Sequence, residues 1–526
     1  MIDVIIRIIT SLIVGLLFCL MTEKSLGAMQ QAGYKNGVFL RWLKRKNNLT
    51  FNRLCVFALC LVLSTAIIAL CFSFLGTFGA RAMSAIPFFL LVFAFLYSDR
   101  KYALKLPTNY TPRLKRLLVA YYFITACVVY FIIALLAFLN ELHGGYLYGL
   151  VAYVPFGVAP VLLPFILCLA NAITAIYENA RNKKFVLSAG QVLDEKKIVR
   201  VGVVGSYGKT SVKNILYTLL SEKYKTAMTP ASYNTPMGIA KSVLSLGDEE
   251  IFIVEMGARK EGDIEELCRF VKPDYGIFTG VCAQHISTFE NLCGVLTEKS
   301  KILEFASLVI CGDSLKESLS EKANAQFGVC TAEDVSCFAT ETKFTLCFGE
   351  ERLPVTTKLL GNSAVENICL AVALAYKMGL KVDEIARGVE KLQPIPHRLQ
   401  LIQANGACVL DDGYNCNEKG AEEAIDALCR FTGRKCVVTP GIVECGVMET
   451  EINATLGKKL ALANLDKVIL VGETLIGAVK EGYVSAGGTM ENLKIVPTLD
   501  RAKEVLADWI TQGDAVLFLN DLPDVY

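Results

Sequence analysis

The sequence has 19 cysteines, yet no two are spaced as C-x-x-C, which excludes a zinc ribbon and a thioredoxin-type redox motif. Their scatter fits a reducing compartment. Cys60, Cys71 and Cys168 lie in apolar runs, where a thiol behaves as a small buried hydrophobe. An excess of charge of one sign is also missing: the formal net charge is +2 and charged residues make up 20% of the chain, so no nucleic-acid partner is expected. Histidine is scarce, with only His143, His285 and His397. The first apolar segment lacks an A-x-A-like exit and further apolar runs follow it, which argues against a cleaved signal peptide.

Apolar residues are plentiful, 53% of the 526, and the excess sits before residue 180. Stretches at about Ile5–Met21, Leu54–Leu75, Ala82–Tyr97, Leu117–Leu139 and Tyr146–Leu169 predict five spans, most near the roughly 20 residues that cross a bilayer as helix. The third is the shortest, and Pro155, Pro160 and Pro164 predict kinks or a re-entrant segment in the fifth. Lys24, Lys35, Arg41, Lys44, Arg45, Lys46 and Arg53 crowd the first loop, and Arg100, Lys101, Lys105, Arg113, Lys115 and Arg116 the third. The second and fourth loops offer only Arg81. Basic residues favour the cytoplasmic side, so the N-terminus is expected outside and everything after about residue 170 in the cytosol. Asn171–Lys184 reads as a polar, basic exit at the membrane surface. A multi-pass cell-membrane protein with cytoplasmic soluble domains is the expectation. The spans hold almost no ionisable residues, which weighs against the alternative of an ATP-driven transporter or sensor with a polar path.

Beyond the spans, short β-rich runs alternate with helical ones. Strands are expected at 199–204, 251–256, 274–280 and 307–311, which reads as a parallel α/β sheet. A polar stretch with β character follows at about 329–358, then a helix-rich connector from Val365 to Leu392. A second alternating series at 407–411, 434–439, 466–471, 493–497 and 514–519 predicts a Rossmann-like domain. The expected organisation is a helical membrane segment at 1–180, an α/β nucleotide-binding domain at 181–393 and a Rossmann-like domain at 394–526.

The run GVVGSYGKTSVKN at 202–214 joins an apolar strand to a helix. The strict G-x-x-x-x-G-K-[ST] form is not met, because residue 203 is valine; what stands here is Gly202-x-x-Gly205-x-x-Gly208-Lys209-Thr210. Glycines let the backbone wrap phosphates, a helix N-terminus offers free N–H groups, Lys209 reaches the terminal phosphates and Thr210 ligates magnesium. Gly205, Ser206, Tyr207, Gly208, Lys209, Thr210 and Ser211 are therefore the candidate nucleotide cradle.

The spacing GxxGxxGKT[ST] resembles the ATP-binding loop of the Mur ligases, enzymes of bacterial cell-wall precursor synthesis. Further segments resemble their MurF branch in the same order: YNTPMGIAKSVL (233–244), with proline before glycine here, VEMGARKEGDIEEL (254–267), CAQHISTF (282–289), PIPHR (394–398) and LDDGYNCN (410–417). The resemblance covers about residues 195–526. It implies a P-loop central domain, a Rossmann-like last domain, and a reaction in which ATP phosphorylates a carboxylate and an amine attacks the acyl phosphate. It further implies magnesium held by Thr210, Glu255, His285 and Lys299, the last as a carbamate formed with carbon dioxide, so that Lys209, Lys299 and His285 are the catalytic candidates. Read alone, Lys299 is a solvated helix lysine beside Glu298 and Lys301. Asn367 in GNSAVENICLA (361–371) resembles the family's adenine contact, and Arg398 and Asp412 its nucleotide contacts from the last domain.

Two departures stand out. Ser363 and Ala364 occupy positions where the family reads His and Asn. Only about thirty residues separate the last span from the loop, too few for the UDP-holding domain with which Mur ligases normally begin. The resemblance thus implies a ligase joining a cell-wall peptide precursor to an amino acid or a dipeptide such as D-alanyl-D-alanine. The alternative of the same chemistry is amidation or amino-acid addition to a lipid-linked precursor. The bilayer is the expected surroundings, and other cell-wall synthesis proteins are admissible partners.

Overall fold

The computed structural model describes residues 2–520 apart from 45–47, 72–75, 100–106, 144–145, 283–288, 290, 405, 415, 444 and 473–474. The chain divides into two compact units that part between Arg181 and Asn182.

The first unit is helical. Long helices run over Ile2–Met21, Leu49–Cys71, Gly76–Asp99 and Pro112–His143, and a further one starts at Tyr146 and ends at Glu195. Among the described residues three stretches are long and apolar enough to cross a membrane: Ile2–Met21, Pro112–Leu135 and Ala159–Glu195. Shorter apolar helical stretches lie at Phe51–Ser64 and Phe88–Asp99. Outward positions stay apolar, among them Phe93, Phe131 and Ile176, as a lipid-facing surface requires. The basic first loop holds two short helices, Glu23–Gln31 and Asn36–Leu43. They bury Leu26, Met29, Phe39 and Trp42 against Leu114, Leu117, Tyr121 and Leu167. Asp99 pairs with Arg53 and Lys24, and the buried Glu178 with Arg116. The expected polar exit at Asn171–Lys184 is helix throughout, because its Ala, Glu, Lys and Arg residues continue the helix without a breaker.

The second unit is built on two six-stranded sheets. The first has the order β2-β3-β1-β4-β5-β6, with β1 Val199–Val204, β2 Thr226–Met228, β3 Ile251–Glu255, β4 Tyr275–Phe278, β5 Leu308–Cys311 and β6 Ala325–Gln326. All its pairs are parallel. Alternate residues of each strand face opposite layers of helices. Val201, Val203, Ile253 and Ile277 pack with helices Lys209–Leu220, Asn362–Lys377 and Val382–Glu390. Val204, Phe252, Val254 and Phe278 pack with helices Pro236–Val243, Asp263–Val271 and Leu292–Ser300. A separate antiparallel sheet of β7 Cys330–Cys337, β8 Thr342–Phe348 and β9 Glu351–Thr357 accounts for the polar β stretch.

The second large sheet has the order β10-β11-β15-β12-β13-β14, with β10 Gln400–Ala404, β11 Ala407–Asp412, β12 Lys435–Thr439, β13 Lys467–Val471, β14 Leu493–Val496 and β15 Ala515–Leu519. It is parallel except for β10. A parallel sheet carries its ligand-competent crevice beyond the C-terminal ends of central strands, where strand order reverses. In the first sheet that point lies after β1, flanked by β3 and β4.

Candidate active site

β1 delivers the chain to a loop whose backbone only glycine tolerates. Gly205 has φ 149° and Gly208 φ 71°. A Cβ on Gly205 would come within 1.9 Å of Thr279 Oγ1, and one on Gly208 within 2.5 Å of Asn367 Oδ1. The loop is braced from β4: Ser206 N donates to Gly280 O at 2.8 Å, and Thr279 Oγ1 to the carbonyl of Tyr207 at 2.5 Å. Lys209 opens the helix Lys209–Leu220 and curls its Nζ back onto Gly205 O (2.7 Å) and Ser206 O (3.3 Å). Burial lowers its pKa. The Ser206 hydroxyl is buried and has no hydrogen-bond partner among the described residues, an arrangement that fits a phosphate oxygen. Ser211 follows in the first turn of the helix.

Next to the loop, β3 ends on Glu255, which is 1% exposed. Its Oε2 accepts from Thr210 Oγ1 at 2.9 Å and its Oε1 from Asn234 Nδ2 at 3.0 Å. Its own N–H donates to Thr229 Oγ1 at 3.1 Å. Thr210 and Glu255, assigned to metal from sequence, thus meet through hard oxygen donors of the kind magnesium takes. His285, the third such residue, lies outside the described residues. Among the described residues no cluster of three His, Cys, Asp or Glu side chains is gathered for a metal.

Lys299 is buried, 2% exposed, near the end of helix Leu292–Ser300. Burial, and next the positive charge of Lys209, lower its pKa to about 7. The neighbouring Lys301 instead pairs with Glu304 at 3.2 Å on the surface. Glu298 is buried too, and accepts from Gly262 N (2.9 Å) and Ile264 N (2.6 Å) at the start of helix Asp263–Val271.

From the last domain Arg398 reaches back to this centre. Its Nη2 donates to Thr210 Oγ1 at 3.4 Å and its Nη1 to Tyr414 O at 3.0 Å, with the guanidinium 4.4 Å from the centre of the Tyr414 ring. The flanking His397 and Leu399 have left-handed backbones, φ 60° and 45°. Such strain persists where surrounding contacts over-determine it. Here His397 Nδ1 meets Asp411 Oδ2 at 2.7 Å, and Leu399 N donates to Asp412 Oδ1 at 3.0 Å. Burial raises the Asp412 pKa to about 6.

Asn367 is buried against Gly208. Where histidine was expected, Ser363 offers its backbone N–H to Glu423 Oε2 at 2.9 Å. The structure also brings in residues that sequence reasoning missed. Lys419 pairs with Glu366 at 2.9 Å and lies 5.0 Å from the centre of the Tyr207 ring. Lys213, fully buried, lies 3.3 Å from Glu255 Oε2. The signal for Lys213 was its place one turn after Lys209, on the same helix face as Thr210.

Residues 203–375 match the Mur ligase middle domain and residues 397–520 the Mur ligase, glutamate ligase domain, together more than half of the chain. The chain belongs to the Mur ligase family. It is 28% identical over 295 residues to the UDP-N-acetylmuramoyl-tripeptide--D-alanyl-D-alanine ligase of Escherichia coli, covering 52% of this chain and 64% of that protein. To the enzyme of the same name from Borreliella burgdorferi it is 26% identical over 303 residues, 55% of this chain and 65% of the other. The chain thus spans just under two thirds of the length of these Mur ligases. The crystal structure of MurF ligase from Thermotoga maritima in complex with ADP superposes with a TM-score of 0.58 at 26% identity, over 65% of this chain and 80% of that one. The family matches begin only at residue 203, beyond the helical unit.

Proposed function

We propose that this chain is an ATP-dependent acid–amino-acid ligase of cell-wall precursor synthesis, joining a peptide carboxylate to an amine such as D-alanyl-D-alanine. The observation that carries this reading is the Thr210 hydroxyl, which touches both Glu255 of the neighbouring strand and Arg398 of the last domain at the mouth of the phosphate loop. The phosphate loop, a candidate metal ligand and a cation of the last domain converge there.

A carboxylate is a poor electrophile. Its oxygen attacks the γ-phosphorus and ADP leaves; the amine nitrogen then attacks the acyl carbon, phosphate departs and the nitrogen loses a proton. Charge in the first step gathers on phosphoryl oxygens, so catalysis rests on positioned cations. Lys209 and Arg398 supply two of them. Magnesium, held by Thr210, Glu255, His285 and Lys299, would neutralise the phosphate oxygens further. Burial among cations favours the neutral amine of Lys299, which adds to carbon dioxide with loss of a proton to give a carbamate, an anionic oxygen ligand. Asn367 borders the loop where the base would lie, and Asp412 steadies the backbone after Arg398.

The helical unit is proposed as a multi-pass membrane anchor, with the ligase domains, about 181–393 and 394–526, on the cytoplasmic side. A second reading, amidation or amino-acid addition to a lipid-linked precursor, is favoured by one observation: the last apolar helix ends at Glu195 and β1 begins at Val199, so an apolar unit stands where the resemblance implies a UDP-holding domain. The test of the shared chemistry is ADP release by detergent-solubilised protein supplied with ATP, magnesium, acceptor and amine. Lys209→Ala is expected to lower it by about a hundredfold or more. Unchanged release would remove the loop from the mechanism.

A further inference from the structure

Lysine is almost never fully buried unless paired. Lys213 has no exposed surface, and its Nζ has two partners: Glu255 Oε2 at 3.3 Å and the carbonyl of Ala231, to which it donates a short hydrogen bond. The second partner is presented by a turned backbone, since Ala231 has φ 43°, an uncommon conformation for a residue with a Cβ. Helix and loop are therefore both shaped around this one ammonium group. Among the described residues its Nζ bonds to Ala231 and Glu255, whereas that of Lys209 bonds to the phosphate loop.

The groups that face the Glu255 carboxylate come from three elements. Thr210 and Lys213 belong to helix Lys209–Leu220, Asn234 to the segment after β2, and Arg398, through Thr210, to the last domain. The carboxylate has three donors, Thr210, Asn234 and the cationic Lys213, with Lys209 and Arg398 close by. A free divalent cation arriving at Glu255 meets one negative charge and several positive ones at short range in a buried site. A triphosphate reverses that balance.

We propose that Lys213 is a built-in counter-ion that withholds Glu255 from free divalent metal and makes metal binding conditional on the nucleotide. The inference rests on the reading of Glu255 as a metal ligand. Lys213 is a positioning residue: it acts through Glu255 and does not touch the reacting atoms.

The test is titration of the full-length protein in detergent with Mn2+, read by the electron paramagnetic resonance of free Mn2+, with no nucleotide present. Lys213→Gln and Lys213→Met remove the charge and are expected to bind Mn2+ at least about tenfold more tightly than the wild type. Lys213→Arg, which keeps the charge, is expected to match the wild type. Two neutral variants are used so that a folding failure of one leaves the other decisive. Absence of a gain in the folded neutral variant, or an equal gain in Lys213→Arg, overturns the counter-ion role. Adding Glu255→Gln to the neutral variant should erase the gain. A gain that survives Glu255→Gln overturns instead the assignment of Glu255 as the ligand, so the two failures are told apart.

Discussion

Lys299 and Lys301 stand two positions apart and differ in every property that chemistry uses. One is buried with its pKa lowered to about 7, and the other is paired with Glu304 at the surface. Lys299→Ala is expected to lower ligation by about a hundredfold or more, and added short-chain carboxylic acids to restore part of it by supplying the missing oxygen ligand. Lys301→Ala should do neither; full activity of Lys299→Ala without acid would contradict the carbamate. The same burial sets a pH dependence. The folded pKa near 7 lies below the unfolded value of roughly 10.4, so between them the unfolded chain binds more protons and stability rises with pH. In CO2-free buffer the wild type should gain up to about 1.4 kcal/mol per pH unit between pH 7 and 10 relative to Lys299→Met. Parallel thermal-unfolding profiles of the two would contradict it. At this scale Lys209, Thr210 and Glu255 were legible because a loop motif and a strand end announce them. Lys213 was not, because a helix lysine reads as solvated until Glu255, distant in sequence, is brought beside it.

Elements were more legible than side chains. The strands β1, β3, β4, β5 and β11 to β15 fall where apolar β-rich runs predicted them, since strands buried on both faces must be apolar throughout. β2 and β6, of three and two residues, are too short to leave a periodic signal. Helices Glu23–Gln31 and Asn36–Leu43 were hidden in a segment that reads as a basic loop. One helix start depends on a remote side chain. Helix Asp263–Val271 follows Gly262 in the left-handed region, and Glu298 satisfies the N–H groups of Gly262 and Ile264. Glu298→Ala is therefore expected to destabilise the protein by about 1–2 kcal/mol, as loss of an N-terminal cap does. Denaturant midpoints for Glu298→Ala equal to those of the wild type would show that the helix start is held by other means.

At the scale of the molecule, a Mur ligase catalytic pair follows a helical unit with three stretches able to cross a membrane. The topology proposed from the charge asymmetry of the loops has the ligase domains in the cytosol, where ATP is. Reporter fusions at residue 300 should report the cytoplasmic side and fusions at residue 143 the outside; the opposite result would refute the topology together with any ATP chemistry. The central claim is the joining reaction itself. Full-length protein in detergent, given ATP, magnesium, D-alanyl-D-alanine and a muramoyl-peptide acceptor in soluble or lipid-linked form, should yield a product whose mass equals acceptor plus amine less water. ADP should accumulate in step with that product. ATP consumption with no joined product from either acceptor, or product formed without ADP, would contradict the account.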